Sequence, residues 1–135
     1  MVTLPNFPNT ALAQLRTPWI ALLVVPSVVA TGAFACVAPL AAVAALAAVS
    51  LPRREALYTV AALWLGNQLV GFSLVGYEWT ANAVLWGWVM LIAALMACVA
   101  AEVARSLPGL LRFAGGFAIA FAVQQALHWA VAKVW

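Results

Sequence analysis

The run PWIALLVVPSVVATGAFACVAPLAAVAALAAVSL, residues 18–51, spans 34 residues without a single charge. Whether it forms one helix or two decides the fold. At 1.5 Å per residue a single helix would be about 51 Å long, against a hydrocarbon core of about 30 Å. The alternative is a hairpin of two short helices turning near residues 32–39, where Gly32, Cys36 and Pro39 interrupt the pattern. Pro39 would then sit in the first turn of the second helix, the helical position that proline tolerates best.

Charge separates the two readings. One long helix leaves Arg53, Arg54, Arg105 and Arg112 on one side, with Arg16 and Lys133 on the other. The hairpin moves Arg16 to the same side as the other four arginines and leaves Lys133 and Glu78 opposite. Basic residues mark cytoplasmic loops, so the hairpin is the better pattern.

Working outward, three further spans are clear, over residues 56–76, 79–103 and 110–132. The joins, Gly76-Tyr77-Glu78 and Arg105-Ser106-Leu107-Pro108-Gly109, are short enough to force antiparallel neighbours. The predicted fold is all-α: a polytopic membrane bundle of five transmembrane helices, with the N-terminus cytoplasmic and the C-terminus outside. Residues 1–17 are expected to be a surface lead-in and residues 18–135 one helical domain. The lead-in carries one side-chain charge and two prolines before the apolar run, unlike a cleavable leader.

Composition agrees. Hydrophobic residues make up 68% of the chain and charged residues 7%, and the mean hydropathy is +1.11. A soluble domain is about 25% charged. Six basic against three acidic residues are too sparse for a nucleic-acid footprint, so the expected surroundings are a lipid bilayer, in the cell inner membrane.

Function is sought where polar groups enter these spans, because lipid offers an unpaired amide no partner. Asn67 and Gln68 lie in the second half of the span over 56–76, and Gln124, Gln125 and His128 lie within the span over 110–132. Gly66 and Gly71 flank the first pair, and Trp64 stands one turn before Gln68. Two readings compete. Amides bridge membrane helices for about 0.6 kcal/mol on average, so the two sets could simply join their helices. Four amides and a histidine nevertheless exceed what two helices need, which favours ligand binding by Trp64, Asn67, Gln68, Gln124, Gln125 and His128. Ser73 and Asn82 could complete such a pocket, and seven tryptophans offer stacking faces.

The other reactive residues say little. Cys36 and Cys98 have no CxxC spacing and read as packing residues. Cys36 and His128 would make a metal pair only if the hairpin brought them together, and no cofactor is identifiable. Glu102 is expected to pair with Arg105 or to reach the interface. No acidic residue sits at mid-membrane, which argues against a proton pump. No nucleophile elbow, phosphate loop or HExxH motif is present, so an enzyme is not expected. Ala41/Ala45 and Ala44/Ala48 place small residues four apart, a face on which another membrane subunit could dock.

This combination resembles the substrate-binding S-components of energy-coupling-factor vitamin and metal transporters. The likeness is carried by Ala41, Ala45 and Ala48 and by the outward tryptophans with Asn67, Gln68, Gln124 and Gln125. The resemblance implies a small hydrophobic bundle that captures a solute from outside and docks on a partner through its alanine face. The expected function is therefore a small-solute or cofactor capture component, with the pocket between the 56–76 and 110–132 helices. The alternative is a non-catalytic accessory subunit of a larger membrane complex.

Overall fold

A computed structural model describes residues 9–34 and 40–134, with side-chain surroundings for 16–29 and 40–134. Five α-helices follow one another: α1 (Asn9–Phe34), α2 (Leu40–Ser50), α3 (Arg53–Val70), α4 (Ala81–Ala101) and α5 (Gly109–Val134). A π-helical turn, Gly71–Val75, extends α3, and a 3-10 turn, Glu102–Ser106, ends α4. No strand occurs among the described residues. The apolar run therefore divides into two helices, α1 and α2, as its length requires. Most of the expected turn over 32–39, residues 35–39, lies outside the described residues. Helix α1 begins at Asn9, inside the segment expected to be a lead-in, and runs through Pro18 and Pro26. Beside Pro26, Ser27 Oγ donates to the Leu23 carbonyl at 2.8 Å.

Among the described residues three helices are long and apolar enough to cross a membrane: Arg53–Val75, Ala81–Ser106 and Gly109–Val134. In the hairpin, α2 has eleven residues, about 16 Å, and α1 has 26, about 39 Å. The expected architecture, an N-terminal hairpin ahead of three full spans, thus agrees in the number of helices and in the three of crossing length.

The ends of this pair are fixed. Trp19 Nε1 donates to Ser50 Oγ at 3.2 Å, and Arg16 pairs with Glu55 at 2.9 Å. The start of α1 therefore meets the α2–α3 corner. Glu102 stands 3.6 Å from Arg105 and 3.9 Å from Arg53, so the expected Glu102–Arg105 pair forms and gains a second arginine. Arg16, Arg53, Arg54, Arg105 and Arg112 all gather at one end of the bundle, the basic end. Glu78 and Lys133 lie at the other, with Tyr77, Trp79 and Trp129.

Helix α2 is the centre. Leu40, Ala41, Val43, Ala44, Ala45, Ala47, Ala48 and Val49 are all buried, because α3, α4 and α5 each pack against it. A run of alanines presents a thin rod on every side, and three helices close around it. This corrects one expectation. The Ala41/Ala45/Ala48 face is covered by the chain's own helices and is not open to another subunit. Cys98 joins this core, fully buried. Large side chains are exposed instead, among them Leu110, Leu74 and Val103. That arrangement suits a lipid surround.

Candidate functional site

Helix α3 separates its two amides by face. Ala56, Thr59, Val60, Leu63 and Asn67 are buried, a spacing of three or four that marks one core stripe. Gln68, about 100° further round, turns away from that stripe and lines a cleft between α3 and α4. Helix α5 does the same: Gly116, Ala120 and Gln124 form its buried stripe, Gln125 is exposed and His128 is half-buried.

The buried amides do not meet. Helix α3 packs on α1, α2 and α4, whereas α5 packs on α2 and α4, and the two share no extended contact. Asn67 Oδ1, Gln124 Oε1 and His128 Nε2 are each buried without a hydrogen-bond partner among the described residues. Two expectations are thereby corrected. Among the described residues, the 56–76 and 110–132 helices lack the shared contact that a pocket between them would need, and no hydrogen bond joins their amides. The reason is α2, which occupies the middle. Gly116 lies against Val49, 3.1 Å from where a Cβ would stand. Eight residues further along α5, about 12 Å, Gln124 is level with the first turn of α2. His128 instead faces Trp86, with ring centroids 6.5 Å apart. Gln125 borders a shallow groove with Trp129 and Lys133, where the ammonium sits 3.9 Å from the Trp129 ring centroid. The Cys36–His128 pair rests on a residue outside those described. Among the described residues no three His, Cys, Asp or Glu side chains cluster as a metal site.

The site that does assemble is the α3–α4 cleft, of about 440 Å³. Trp64, Leu65, Gln68, Leu69 and Phe72 line it from α3 and its π turn, and Trp79, Val84 and Trp88 from the α4 side. Trp64 Nε1 donates to the Gly87 carbonyl at 2.7 Å, which fixes the indole across the helix pair. Its ring centroid lies 5.3 Å from that of Trp88 at a 40° tilt. A Cβ at Gly87 would overlap Gln68 Nε2, so the glycine leaves the space that the Gln68 amide occupies. Nearer the mouth, Phe72 stacks on Trp79 at 4.3 Å.

The π turn shapes this end. Gly71 N–H reaches the carbonyls of both Asn67 and Gln68, and the Tyr77 ring lies 2.6 Å from where a Gly71 Cβ would stand. Gly76, at φ +81°, ends the helix in the left-handed conformation. Phe72 and Ser73 stand four residues beyond Gln68 and Leu69, as those stand four beyond Trp64 and Leu65, so one face of the helix lines the cleft into the turn. Ser73 Oγ donates to the Leu69 carbonyl. Gly66 allows a close approach to Val28 of α1, a methyl of which lies 2.7 Å from where a Cβ would stand.

Of the six predicted site residues, Trp64 and Gln68 thus share one cleft. Asn67 and Gln124 lie in the core, and Gln125 and His128 lie toward the far end of α5. Sequence reading missed Phe72, Trp79, Trp88 and Gly87 as parts of one site. The available signal was the tryptophan spacing on either side of the short Gly76–Glu78 join. Comparison with protein-family models, with curated proteins and with solved structures finds no match to this chain.

Proposed function

We propose that this chain is a membrane-embedded capture component for a small neutral solute, held in the α3–α4 cleft. The observation that carries the reading is the cleft itself: aromatic walls, a tryptophan locked by a hydrogen bond before any ligand arrives, and the Gln68 amide set among them. Binding sites for small molecules are mainly apolar with a few placed polar groups, and about 300–1,000 Å³ in size. The cleft has both properties. With the basic end cytoplasmic, the Phe72–Trp79 end of the cleft is its outer end, the side from which uptake across an inner membrane draws. The likeness to S-components of energy-coupling-factor transporters is of the same kind, although the alanine face that would serve docking is already filled.

A second reading, an accessory subunit, draws on a different surface. Phe113, Phe117 and Phe121 form an exposed ladder along α5, two of them stacked at 5.9 Å. Native mass spectrometry of the gently extracted protein separates the two. Capture predicts a retained small molecule that is lost in a Gln68→Ala, Trp88→Ala double variant. A protein partner retained equally by wild type and variant, with no small molecule, would establish the subunit.

A further inference from the structure

Resting on that reading, we infer the class of solute: a neutral planar ring compound dissolved in the bilayer, carrying a carbonyl or hydroxyl on its edge and an apolar tail, of the quinone type. Three observations point to it. The first is the route of entry. Leu65, Leu69 and Trp88 are 51%, 61% and 52% exposed while lining the cleft, so it opens sideways along the outer flank of two crossing-length helices. A solute reaching it comes from among the lipid chains and can leave its tail there.

The second is the shape and stiffness of the walls. The Trp64 and Trp88 rings pack on each other, centroids 5.3 Å apart at 40°, and present one continuous aromatic wall that the Trp64–Gly87 hydrogen bond holds in place. Flat aromatic walls favour a flat guest, which gains offset or tilted stacking beyond the area it buries, whereas an acyl chain gains area alone. A wall fixed beforehand also lowers the ordering cost of binding.

The third is polarity. Apart from the indole N–H groups, Gln68 and Ser73 are the only polar side chains on the cleft among the described residues, and the Ser73 hydroxyl already bonds the Leu69 carbonyl. The Gln68 amide therefore remains to recognise the guest, donating to a ring carbonyl or accepting from a ring hydroxyl. No charged side chain among the described residues lines the cleft, and a charged guest at this depth would have no counter-ion.

The test uses the full chain in phosphatidylcholine nanodiscs, with quenching of intrinsic tryptophan fluorescence as readout. Decylubiquinone is the membrane-borne probe and riboflavin the water-borne one. Saturable quenching by decylubiquinone is expected, weakened about ten-fold in Gly87→Ala, where the new methyl displaces the Gln68 amide, and in Gln68→Leu, where the amide is gone. Phe113→Ala, on α5, should bind as wild type does. Thermal melts of each variant confirm folding, and either cleft variant suffices should the other fail to fold. Linear quenching that is identical in wild type and variants would mean simple partition into lipid and would overturn the inference. Saturable binding of riboflavin alone would also overturn it while leaving solute capture standing. Binding of neither probe above partition would remove the ring-ligand assignment and the cleft's capture role together.

Discussion

At the scale of single residues, the buried acceptors make a sharp prediction about stability. Asn67 is 5% exposed and Gln124 9%, and each carries a carbonyl oxygen without a partner among the described residues. A buried polar group left unbonded costs about 1–3 kcal/mol, and exchanging it for an apolar group of similar shape removes that cost. Asn67→Leu and Gln124→Met are therefore expected to raise the melting temperature of the detergent-solubilised protein by several degrees each. Neither substitution should alter binding in the α3–α4 cleft, since both side chains lie in the core. A fall in melting temperature for both variants would show that the two amides are bonded in the folded protein. Trp64→Phe tests the opposite situation. It keeps an aromatic ring but deletes the 2.7 Å hydrogen bond to Gly87, so about 1 kcal/mol of stability should be lost, together with the fixed orientation of the cleft wall. A thermal melt and a ligand titration of the same sample report the two effects separately.

Between elements, the most informative contact joins α2 to the end of α4. Arg105 Nε donates to the Ala48 carbonyl at 2.6 Å, and one terminal nitrogen of its guanidinium donates to the Leu51 carbonyl at 2.7 Å. The last carbonyls of a helix have no partner within it, and a cation at that end also suits the helix dipole. A short, buried, alanine-rich helix is thus closed at its C-terminus by a guanidinium from a turn more than fifty residues away. Glu102 stands behind that guanidinium at 3.6 Å. Hydrogen bonds from a charged donor are worth about 1.5–3 kcal/mol each, so Arg105→Ala should cost on the order of 2 kcal/mol or more and lower the melting temperature. Arg105→Lys should recover only part, because an ammonium cannot make both bonds in the fixed fork geometry. Full recovery by lysine would reduce the contact to simple charge. The Glu102–Arg105 pair was readable from the sequence, but the two carbonyls that Arg105 caps were not. A long-range cap leaves no local pattern. The split of residues 18–51, by contrast, was legible because length alone forbids one helix, and the π turn was not, since nothing in GFSLV distinguishes it from α-helix.

For the molecule as a whole, charge and aromatic residues divide it into two unlike ends, and this asymmetry sets the orientation expected in a membrane. Five arginines occupy the basic end, while the opposite end holds Glu78 and Lys133 with Tyr77, Trp79 and Trp129. The hairpin need not cross the membrane for this to hold. Whether α1 and α2 span it or turn back within it, the start of α1 returns to the α2–α3 corner, as the Arg16–Glu55 and Trp19–Ser50 contacts show. Arg16 therefore joins the other arginines, as the sequence reading expected, for a reason independent of crossing number. The site was less legible than the fold. Amides could be placed by depth along their helices, but which face each took depended on α2 filling the centre, and a helix hydrophobic all round carries no mark of its neighbours. Positive residues near helix ends are retained on the cytoplasmic side. An alkaline phosphatase fused after Trp135 is therefore expected to be active, and one fused after Ser106 inactive. Moving charge should move topology: Glu78→Arg together with Arg53→Gln and Arg54→Gln narrows the asymmetry and should yield mixed activity at both fusion points. The inverse wild-type pattern, active after Ser106 and silent after Trp135, would turn the mouth of the cleft toward the cytoplasm. Solute capture from outside would then be ruled out by orientation alone, whatever the cleft binds.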